Sequence, residues 1–291
     1  MTVSANAKIN LSLEVYAKRP DGYHALRSLV APISLADTLE IELTDDGTIT
    51  SDTGFEDDLC VRAVRMLKSS VSCLSSSFGA RIRVTKRIPV GGGLGGGSAD
   101  AAAVLRALNE MWKCGKTPEE LAEIGAAVGS DVPALVLAQH YRQSVLMEGR
   151  GERVSLLGAS FLQSLNQSIR QSVNSLFSQS NNPNNPNNRT IPLILANPGI
   201  PVSTAEIYRL CVPRTEPAKG PVNDLQEPAV RRHPEIAHTL AALASAGATD
   251  VRMSGSGATC FGFAPDEASA GRIAAKLVQS GLQCWQTDLL L

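Results

Sequence analysis

The sequence centres on one stretch, Pro89-Val-Gly-Gly-Gly-Leu-Gly-Gly-Gly-Ser-Ala-Asp-Ala-Ala-Ala103, in which six of the seven positions 91–97 are glycine. Glycine accepts positive φ and has no Cβ between its N–H group and a ligand, so such a loop can wrap closely around an anion. Ser98 is a typical N-cap, and the alanine-rich run after it favours a helix whose N-terminus adds unpaired N–H groups and a positive dipole end. The stretch therefore predicts a phosphate-binding loop, with the phosphate against Ser98.

Three better-known glycine patterns fit this stretch poorly. A Rossmann fingerprint, Gly91-x-Gly93-x-x-Gly96, needs an acidic residue about 20 positions later at the end of a second strand, but that region has helical spacing at 121–128. A Walker A loop needs a lysine before the serine, and position 97 is glycine. A flexible linker is not normally placed between a strand and a helix. The cation that neutralises the phosphate must therefore be a metal or a distant lysine.

Composition limits the classes of protein that remain. The chain has 291 residues, 43% of them hydrophobic, which favours two domains with real cores over one. Its net charge is −1 and its isoelectric point is near 6.4, so there is no global basic field for nucleic acid or an anionic membrane. The six cysteines form no CxxC or Cys/His pair, which argues against zinc and disulfides. We expect a cytoplasmic protein, bacterial or the mature form of a plastid protein, because the N-terminus lacks a signal peptide and no apolar run reaches about 18 residues.

Strand and helix periodicities alternate along the chain. In the first half we predict strands at 7–16, 38–43 and 80–85 and helices at 59–67, 99–112 and 118–128. In the second half we predict strands at 193–196, 250–253 and 259–263 and helices at 204–211, 234–246 and 267–279, an order that suggests a small, separate α/β sandwich. Between them, residues 163–190 are rich in Ser, Gln and Asn, with a disordered tail and an amphipathic helix predicted at 162–177. The fold class is therefore α+β or α/β.

Two clusters near the N-terminus carry polar groups that suggest a site. Lys8 and Asn10 share one face of an otherwise apolar strand, although a strand lysine is more often a solvated edge residue. Arg19-Pro-Asp-Gly-Tyr-His24 is a turn that presents Tyr23 and His24 at its exit, where an aromatic ring and an imidazole can stack on a base and bond to its edge. Alone, that pair is more often a packed tyrosine and a surface histidine.

Two further clusters lie downstream of the glycines. In Gly129-Ser-Asp131-Val-Pro133 the glycine ends a helix and the proline resists its continuation, so the Asp131 carboxylate is fixed on a short loop as an N-cap or a base. Met253-Ser-Gly-Ser-Gly-Ala-Thr259 is a second glycine-rich turn between two predicted strands. It is either a tight hairpin or a second loop that approaches phosphates.

Taken in order, these motifs resemble those of the GHMP small-molecule kinases. The resemblance rests on the glycine stretch, the Lys8/Asn10 strand, the Asp131 loop and Ser254-Gly-Ser-Gly-Ala-Thr259, and it covers nearly the whole chain apart from about 160–190. Within the family, Arg19–His24, Glu148–Glu152, Val202–Tyr208 and Val222–Leu225 resemble the members that act on a cytidine-diphosphate sugar alcohol. The implied fold is α+β and two-domain, with an N-terminal domain like domain 2 of ribosomal protein S5 and a ferredoxin-like α/β sandwich as the C-terminal domain.

The resemblance implies a reaction and a role for each motif. ATP with Mg²⁺ would phosphorylate the 2-hydroxyl of a cytidine-diphosphate methylerythritol in the non-mevalonate route to isoprenoids. Asp131 would accept the hydroxyl proton, Lys8 would hold that oxygen and offset developing charge, Asn10 would orient them, and Tyr23 and His24 would recognise the cytosine. Ser98 is a candidate magnesium ligand, and Asp100 is a weaker one. The ATP-binding residues would be Pro89, Val90, Gly91, Gly92, Gly93, Leu94, Gly95, Gly96, Gly97, Ser98 and Ala99, with Ser254, Gly255, Ser256 and Gly257 as a second phosphate loop.

The expected organisation is an ATP-binding and catalytic domain at 1–158, a Ser/Asn-rich insertion at 159–192 and a substrate domain at 193–291. We expect a monomer or weak homodimer with a small-molecule substrate and neither a nucleic-acid nor a membrane partner. Two alternatives stay open: another GHMP kinase acting on homoserine or mevalonate, whose substrates have no nucleobase, and a non-catalytic ATP-binding or metabolite-binding regulator, which need keep neither Lys8 nor Asp131.

Overall fold

The computed structural model of the chain describes residues 1–71, 75–157 and 190–290. The strands in these ranges are β1 (Thr2–Lys18), β2 (His24–Thr44), β3 (Ile49–Ser51), β4 (Gly79–Thr85), β5 (Val145–Gly149), β6 (Arg153–Leu156), β7 (Thr190–Asn197), β8 (Thr249–Met253), β9 (Cys260–Phe263) and β10 (Gln283–Leu290). The helices are α1 (Leu59–Ser70), α2 (Gly96–Met111), α3 (Pro118–Ala126), α4 (Val132–Tyr141), α5 (Thr204–Leu210), α6 (Gln226–Arg232), α7 (Pro234–Ala246) and α8 (Glu267–Gln279).

Two long antiparallel strands, β1 and β2, organise the first half of the chain. Their pairing runs from Thr2↔Glu40 to Lys18↔His24. Along its other edge β2 pairs in turn with β4, β10 and β5. Ala7 and Ile9 of β1 belong to the core beneath α1, α2 and α4, whereas Leu13 and Val15 belong to the core of the second half. The strand that carries Lys8 and Asn10 is therefore buried from both sides.

Helix α2 forms the centre of the first core. Nine of its residues are buried, most of them alanines, and it contacts β1, α1 and α4. Alanine has a high helix propensity and a small side chain, so neighbouring elements can approach the helix axis closely. The short helix α3 begins with a capping box, in which Thr117 and Glu120 each accept a hydrogen bond from the other's backbone N–H.

The last strand, β10, joins the two halves of the sheet. It pairs along its full length with β7, which pairs with β9, and β9 pairs with β8. On its other side it meets β2 at a single position, Leu289↔Ile33. Hydroxyl groups extend this junction: the Leu35 N–H donates to Thr287 Oγ1 at 2.8 Å, and the Asp288 N–H donates to Ser34 Oγ at 2.9 Å. Helices α7 and α8 pack on the strands of the second half.

The mixed helix-and-strand fold expected from the sequence is confirmed, and the helices predicted at 234–246 and 267–279 have those bounds. The periodicity did not predict α4, because all eight positions of 132–139 are buried and the segment has no polar face to reveal a helix. The part of β2 before residue 38, strands β3, β5, β6 and β10, and helix α6 were also not predicted. The amphipathic helix predicted at 162–177 lies outside the described residues, as does most of the Ser/Asn-rich segment predicted at 163–190.

Candidate functional site

The glycine loop lies between β4 and α2, as the sequence predicts, and its glycines are needed for geometry. Gly91, Gly93 and Gly95 have φ of 68°, 77° and 69°, a region that disfavours residues with a Cβ. A Cβ on Gly93 would lie 2.2 Å from the Ser254 carbonyl oxygen. The loop therefore takes this shape only with glycine at these positions.

The start of α2 differs from the prediction. The helix begins at Gly96, with Gly95 as its N-cap, and Ser98 is not the N-cap. Because Gly95 adopts the left-handed conformation, the chain turns into the helix three residues earlier than the serine suggests. The first helical bond beyond the cap runs from the Ala99 N–H to the Gly95 oxygen at 2.7 Å, so the N–H groups of residues 96–98 precede the intrahelical ladder. The Ser98 hydroxyl lies in this first turn, 3.9 Å from where a Cβ on Gly129 would lie.

The second glycine-rich turn connects β8 to β9, as a hairpin would, and also packs against the first loop. Ser254 Oγ donates to the Gly93 oxygen at 3.0 Å, and the Thr259 N–H donates to the Gly92 oxygen at 3.2 Å. Asn223 holds this turn from the other side, since its amide nitrogen donates to the Met253 and Gly255 oxygens at 2.8 Å each. The two loops, far apart in sequence, thus form one continuous backbone surface.

Asn223 was not singled out as a site residue, although it lies in the Val222–Leu225 motif. The segment pairs with β1, because the Leu13 N–H donates to the Val222 oxygen and the Asp224 N–H to the Leu13 oxygen. It therefore connects β1 to the second glycine-rich turn.

Lys8 and Asn10 are both buried, at 3% and 2% exposure, and they contact each other next to the glycine loop. The Lys8 ammonium donates to Asn10 Oδ1 at 2.7 Å and to the Gly93 oxygen at 3.0 Å. Asn10 Nδ2 donates in turn to Ser28 Oγ at 2.7 Å, which fixes the orientation of the amide. The lysine is therefore not a solvated edge residue, and its position is set by the β1 backbone and by the glycine loop.

Asp131 lies opposite this lysine. Its Oδ2 is 3.4 Å from Lys8 Nζ, and its side chain is 32% exposed whereas that of Lys8 is 4% exposed. Asp131 occupies the N-cap position of α4, yet its carboxylate makes no capping hydrogen bond. Pro133 lies in the first turn of α4 rather than in a loop, where proline is well tolerated because the first-turn N–H groups have no intrahelical partner. The site thus contains a carboxylate that is open to solvent on one side and paired with an ammonium on the other.

A second, partly buried lysine was not predicted as part of the site. Lys86 Nζ contacts Asp37 Oδ2 at 2.5 Å and Asp100 Oδ2 at 2.8 Å. Asp37 also accepts from the N–H groups of Arg87 and Ile88, which lead directly into the glycine loop. Burial raises the pKa of Asp100 to about 7, more than the Lys86 contacts lower it. Burial lowers the pKa of Lys86, but its two carboxylate partners outweigh that effect and raise it. Because Asp100 is buried against this lysine, it is poorly placed as a magnesium ligand.

The Arg19–His24 turn presents its two aromatic residues differently. Tyr23 is 55% exposed, with the Arg150 guanidinium 5.6 Å above its ring centroid. His24 is held by a hydrogen bond between Nδ1 and the Tyr16 oxygen at 3.0 Å. Its ring stacks against that of Tyr208, with centroids 6.0 Å apart and an interplanar angle of 28°.

Tyr208 connects this aromatic group to the acidic end of the site. Burial raises the pKa of its phenol, and the negative charge of Asp131 raises it further, so the phenol lies within electrostatic reach of that carboxylate. The residue belongs to the Val202–Tyr208 motif, which was the one available signal for it. Tyr208 therefore stacks on His24 and lies within electrostatic range of Asp131.

Within the ranges that the structure describes, no group of three or more His, Cys, Asp or Glu side chains is arranged to hold a metal ion. In the same ranges no helix is long and apolar enough to cross a membrane.

Two family models match parts of the chain. Residues 58–139 match the family described as GHMP kinases N terminal domain, and residues 216–282 match GHMP kinases C terminal. A 4-diphosphocytidyl-2-C-methyl-D-erythritol kinase from Symbiobacterium thermophilum is 32% identical, with 100% of both chains covered. A protein of the same name from a Geobacillus species is 36% identical over 94% of this chain and 91% of its own. A solved structure, a 4-(cytidine 5'-diphospho)-2C-methyl-D-erythritol kinase, has a TM-score of 0.77 and 29% identity, with both chains covered in full.

Proposed function

The chain belongs to the GHMP kinase family, and from that premise we propose that it transfers the γ-phosphate of ATP to the 2-hydroxyl of 4-diphosphocytidyl-2-C-methyl-D-erythritol, giving the 2-phosphate and ADP. The observation that carries the proposal is the meeting of three groups at one point: the glycine loop, the Lys8 ammonium at 3.0 Å from the Gly93 oxygen, and the Asp131 carboxylate at 3.4 Å from that ammonium. This reaction is one step of the non-mevalonate pathway, which makes isoprenoid precursors.

The glycine loop and the first turn of α2 bind the phosphates of ATP in this proposal. Positive-φ glycines turn backbone N–H groups toward an anion, and the helix start adds unpaired N–H groups and the positive dipole end. The Ser254–Gly257 turn closes the loop from the other side, because Ser254 and Thr259 bond to its carbonyl oxygens. The binding surface is therefore rigid before ATP arrives, which reduces the entropy lost on binding.

The residues at the start of α2 fit a Mg²⁺ ion that is held mainly by the phosphates of ATP. Mg²⁺ commonly keeps several waters and takes one or two protein ligands besides the substrate phosphates. The Ser98 hydroxyl in the first helical turn would supply one such ligand, whereas the buried Asp100 carboxylate is occupied by Lys86. When bound, the ion neutralises charge on the β- and γ-phosphates.

The chain's own residues then handle the proton and the developing charge. The substrate oxygen forms a bond to the γ-phosphorus while the bond from that phosphorus to the β,γ-bridging oxygen breaks, and ADP departs. Asp131 accepts the proton of the attacking hydroxyl, and its partial exposure leaves room for the substrate. Lys8 holds the oxygen and stabilises the negative charge that builds on the phosphoryl group. Asn10 keeps the ammonium in place, since its Oδ1 accepts from Nζ at 2.7 Å.

Recognition of the cytosine is assigned to Tyr23 and His24. Tyr23 offers an exposed ring, and base–aromatic stacking contributes about 1–3 kcal/mol per base. His24, fixed on Tyr16 and stacked on Tyr208, presents a ring edge that bonds to polar atoms of the base. A substrate without a base, such as homoserine or mevalonate, would leave these rings unused.

The test is release of ADP, measured in parallel with the cytidine-diphosphate substrate, homoserine and mevalonate. We expect turnover with the first alone. Turnover only with homoserine or mevalonate would keep the family and overturn the substrate. No turnover with any of the three, in a protein that binds ATP, would favour a regulator in place of a kinase.

A further inference from the structure

A cleft separate from the proposed ATP and substrate surfaces lies beside α2 and α4. Its volume is about 480 Å³, within the range typical of small-molecule sites. It is bounded by the start of β1, the C-terminal half of α2, the start of α3 and the end of α4. None of the residues placed in the kinase site lines it.

Arg106, in the middle of α2, faces this cleft without a counter-ion. Its Nη2 donates to Gln139 Oε1 at 2.9 Å and to the Ser4 oxygen at 3.5 Å, both neutral acceptors. Its Nε is buried and has no hydrogen-bond partner. Among the residues that the structure describes, no carboxylate lies within ion-pair distance of the guanidinium. A half-buried guanidinium is costly unless an anion pairs with it.

Two further cations, Lys116 and Arg142, line the same cleft together with His140, against one carboxylate, Glu110. Lys116 is partly neutralised by Glu120 at 3.0 Å. Arg142 is the C-cap residue of α4 and follows His140 in the last turn, where a cation interacts favourably with the helix dipole. The helix dipole does not explain Arg106, because this residue is more than one turn from the end of α2. Part of the lining is apolar and consists of Val3, Ala103, Ala107 and Leu121, which together are called the apolar wall.

We propose that this cleft is a second ligand site that binds a small organic phosphate, with the phosphate on Arg106 and Arg142 and the organic part on the apolar wall. Guanidinium groups suit this ligand because their planar N–H donors match phosphate oxygens and form charge-assisted hydrogen bonds. The buried Nε of Arg106 gains an acceptor when the anion binds. The volume exceeds what a bare phosphate needs, which is why the ligand has an organic body.

The partners of Arg106 connect this cleft to the kinase site. Gln139, which accepts from Arg106, donates through Nε2 to the Asn6 oxygen at 2.9 Å and to the Ala99 oxygen at 3.4 Å. Asn6 lies two positions before Lys8, Ala99 lies in the first turns of α2, and Gln139 is on the helix that begins after Asp131. An anion bound to Arg106 would thus be connected through Gln139 to β1, α2 and α4, three elements that carry residues of the kinase site.

The test is calorimetric titration of the full chain with butyl phosphate, in the presence of a non-hydrolysable ATP analogue that fills the nucleotide site. Inorganic phosphate and butyrate are the comparison probes. We expect butyl phosphate to bind more tightly than either, and Arg106→Gln to weaken it about tenfold or more. Arg142→Gln should weaken it as well, and because Arg142 is exposed and unpaired among the described residues, this variant keeps its fold even if Arg106→Gln does not. Arg272→Gln, with the same charge change on α8, is the matched control and should bind as the parent chain does.

The inference is overturned if the parent chain does not bind butyl phosphate once the nucleotide site is filled, or if Arg142→Gln and a folded Arg106→Gln both bind it unchanged. Equal affinity for butyrate would overturn the phosphate assignment, and equal affinity for inorganic phosphate would overturn the role of the apolar wall. Because calorimetry needs no turnover, these outcomes do not depend on the proposed kinase reaction.

Discussion

Replacement of Gly95 by alanine tests whether the glycine loop also sets the position of Lys8. Gly95 has φ of +69°, and a Cβ there would lie 3.1 Å from Lys8 Cε and 3.2 Å from Lys8 Cγ. The left-handed conformation costs an alanine about 1–2 kcal/mol. The close contacts add a second effect, because the lysine must move by a few tenths of an ångström although its ammonium is held by Asn10 and Gly93.

The magnitude of the activity loss follows from that displacement. A misplacement of about 1 Å in a catalytic site can lower the rate about 100-fold, so a shift of about 0.3 Å corresponds to about fourfold. Gly115→Ala is the matched control, since Gly115 has φ of +68° and nothing within 4 Å of its added Cβ. Both variants should lose about 1–2 kcal/mol of unfolding free energy in urea.

Only Gly95→Ala should lose kcat, measured by ADP release at saturating ATP and substrate. If both variants keep the parent kcat, the loop does not determine where Lys8 acts. If Gly115→Ala loses as much activity as Gly95→Ala, the loss comes from destabilisation and not from displacement of the lysine.

Three further predictions follow from the same site. Asp131→Asn should lower kcat by about 10²–10⁴-fold and leave ATP binding intact, because the amide cannot accept the proton; full activity would remove that role. Tyr23→Ala should raise the KM for the cytidine substrate by a factor corresponding to about 1–3 kcal/mol of stacking, with the KM for ATP unchanged; a change in both would place the ring elsewhere. Burial raises the pKa of Asp100 to about 7, above about 3.9 in the unfolded chain, so this group favours folding below pH 4 and that contribution is lost as the pH rises to 7. Urea unfolding of Asp100→Asn against pH should therefore lack this decline, and an unchanged profile would contradict it.

Short sequence patterns predicted those parts of the site whose shape depends only on residues that are neighbours in the sequence. The glycine loop is encoded by its own residues, and the Lys8/Asn10 face follows from strand alternation alone. Helix α4 escaped prediction because burial on all sides removes the polar face that marks a helix. Lys86 also escaped, since nothing near it in sequence indicates that Asp37, 49 residues away, will pair with it.

Tyr208 and Asn223 are a different case, because their motifs were recognised but their roles depend on contacts between the two halves of the chain. Tyr208 stacks on His24 of β2, and Asn223 holds a turn 30 residues further on. Such pairings are set by how the sheet is ordered. That order depends on β10, whose own sequence, Gln-Cys-Trp-Gln-Thr-Asp-Leu-Leu, gives only a weak strand pattern.

The central position of β10 has a consequence for biosynthesis. Residues 283–290 form the only ladder that joins β2 to β7 in the described sheet, yet the ribosome makes them after every other described strand. A nascent chain that ends before residue 283 can pair β1 with β2, but one edge of β7 stays unpaired until β10 is made. Open strand edges promote association between chains. A premature stop just before Gln283 would therefore leave nearly every site residue in place and still yield a protein prone to aggregate, recognised by chaperones and proteases before any loss of chemistry could be measured.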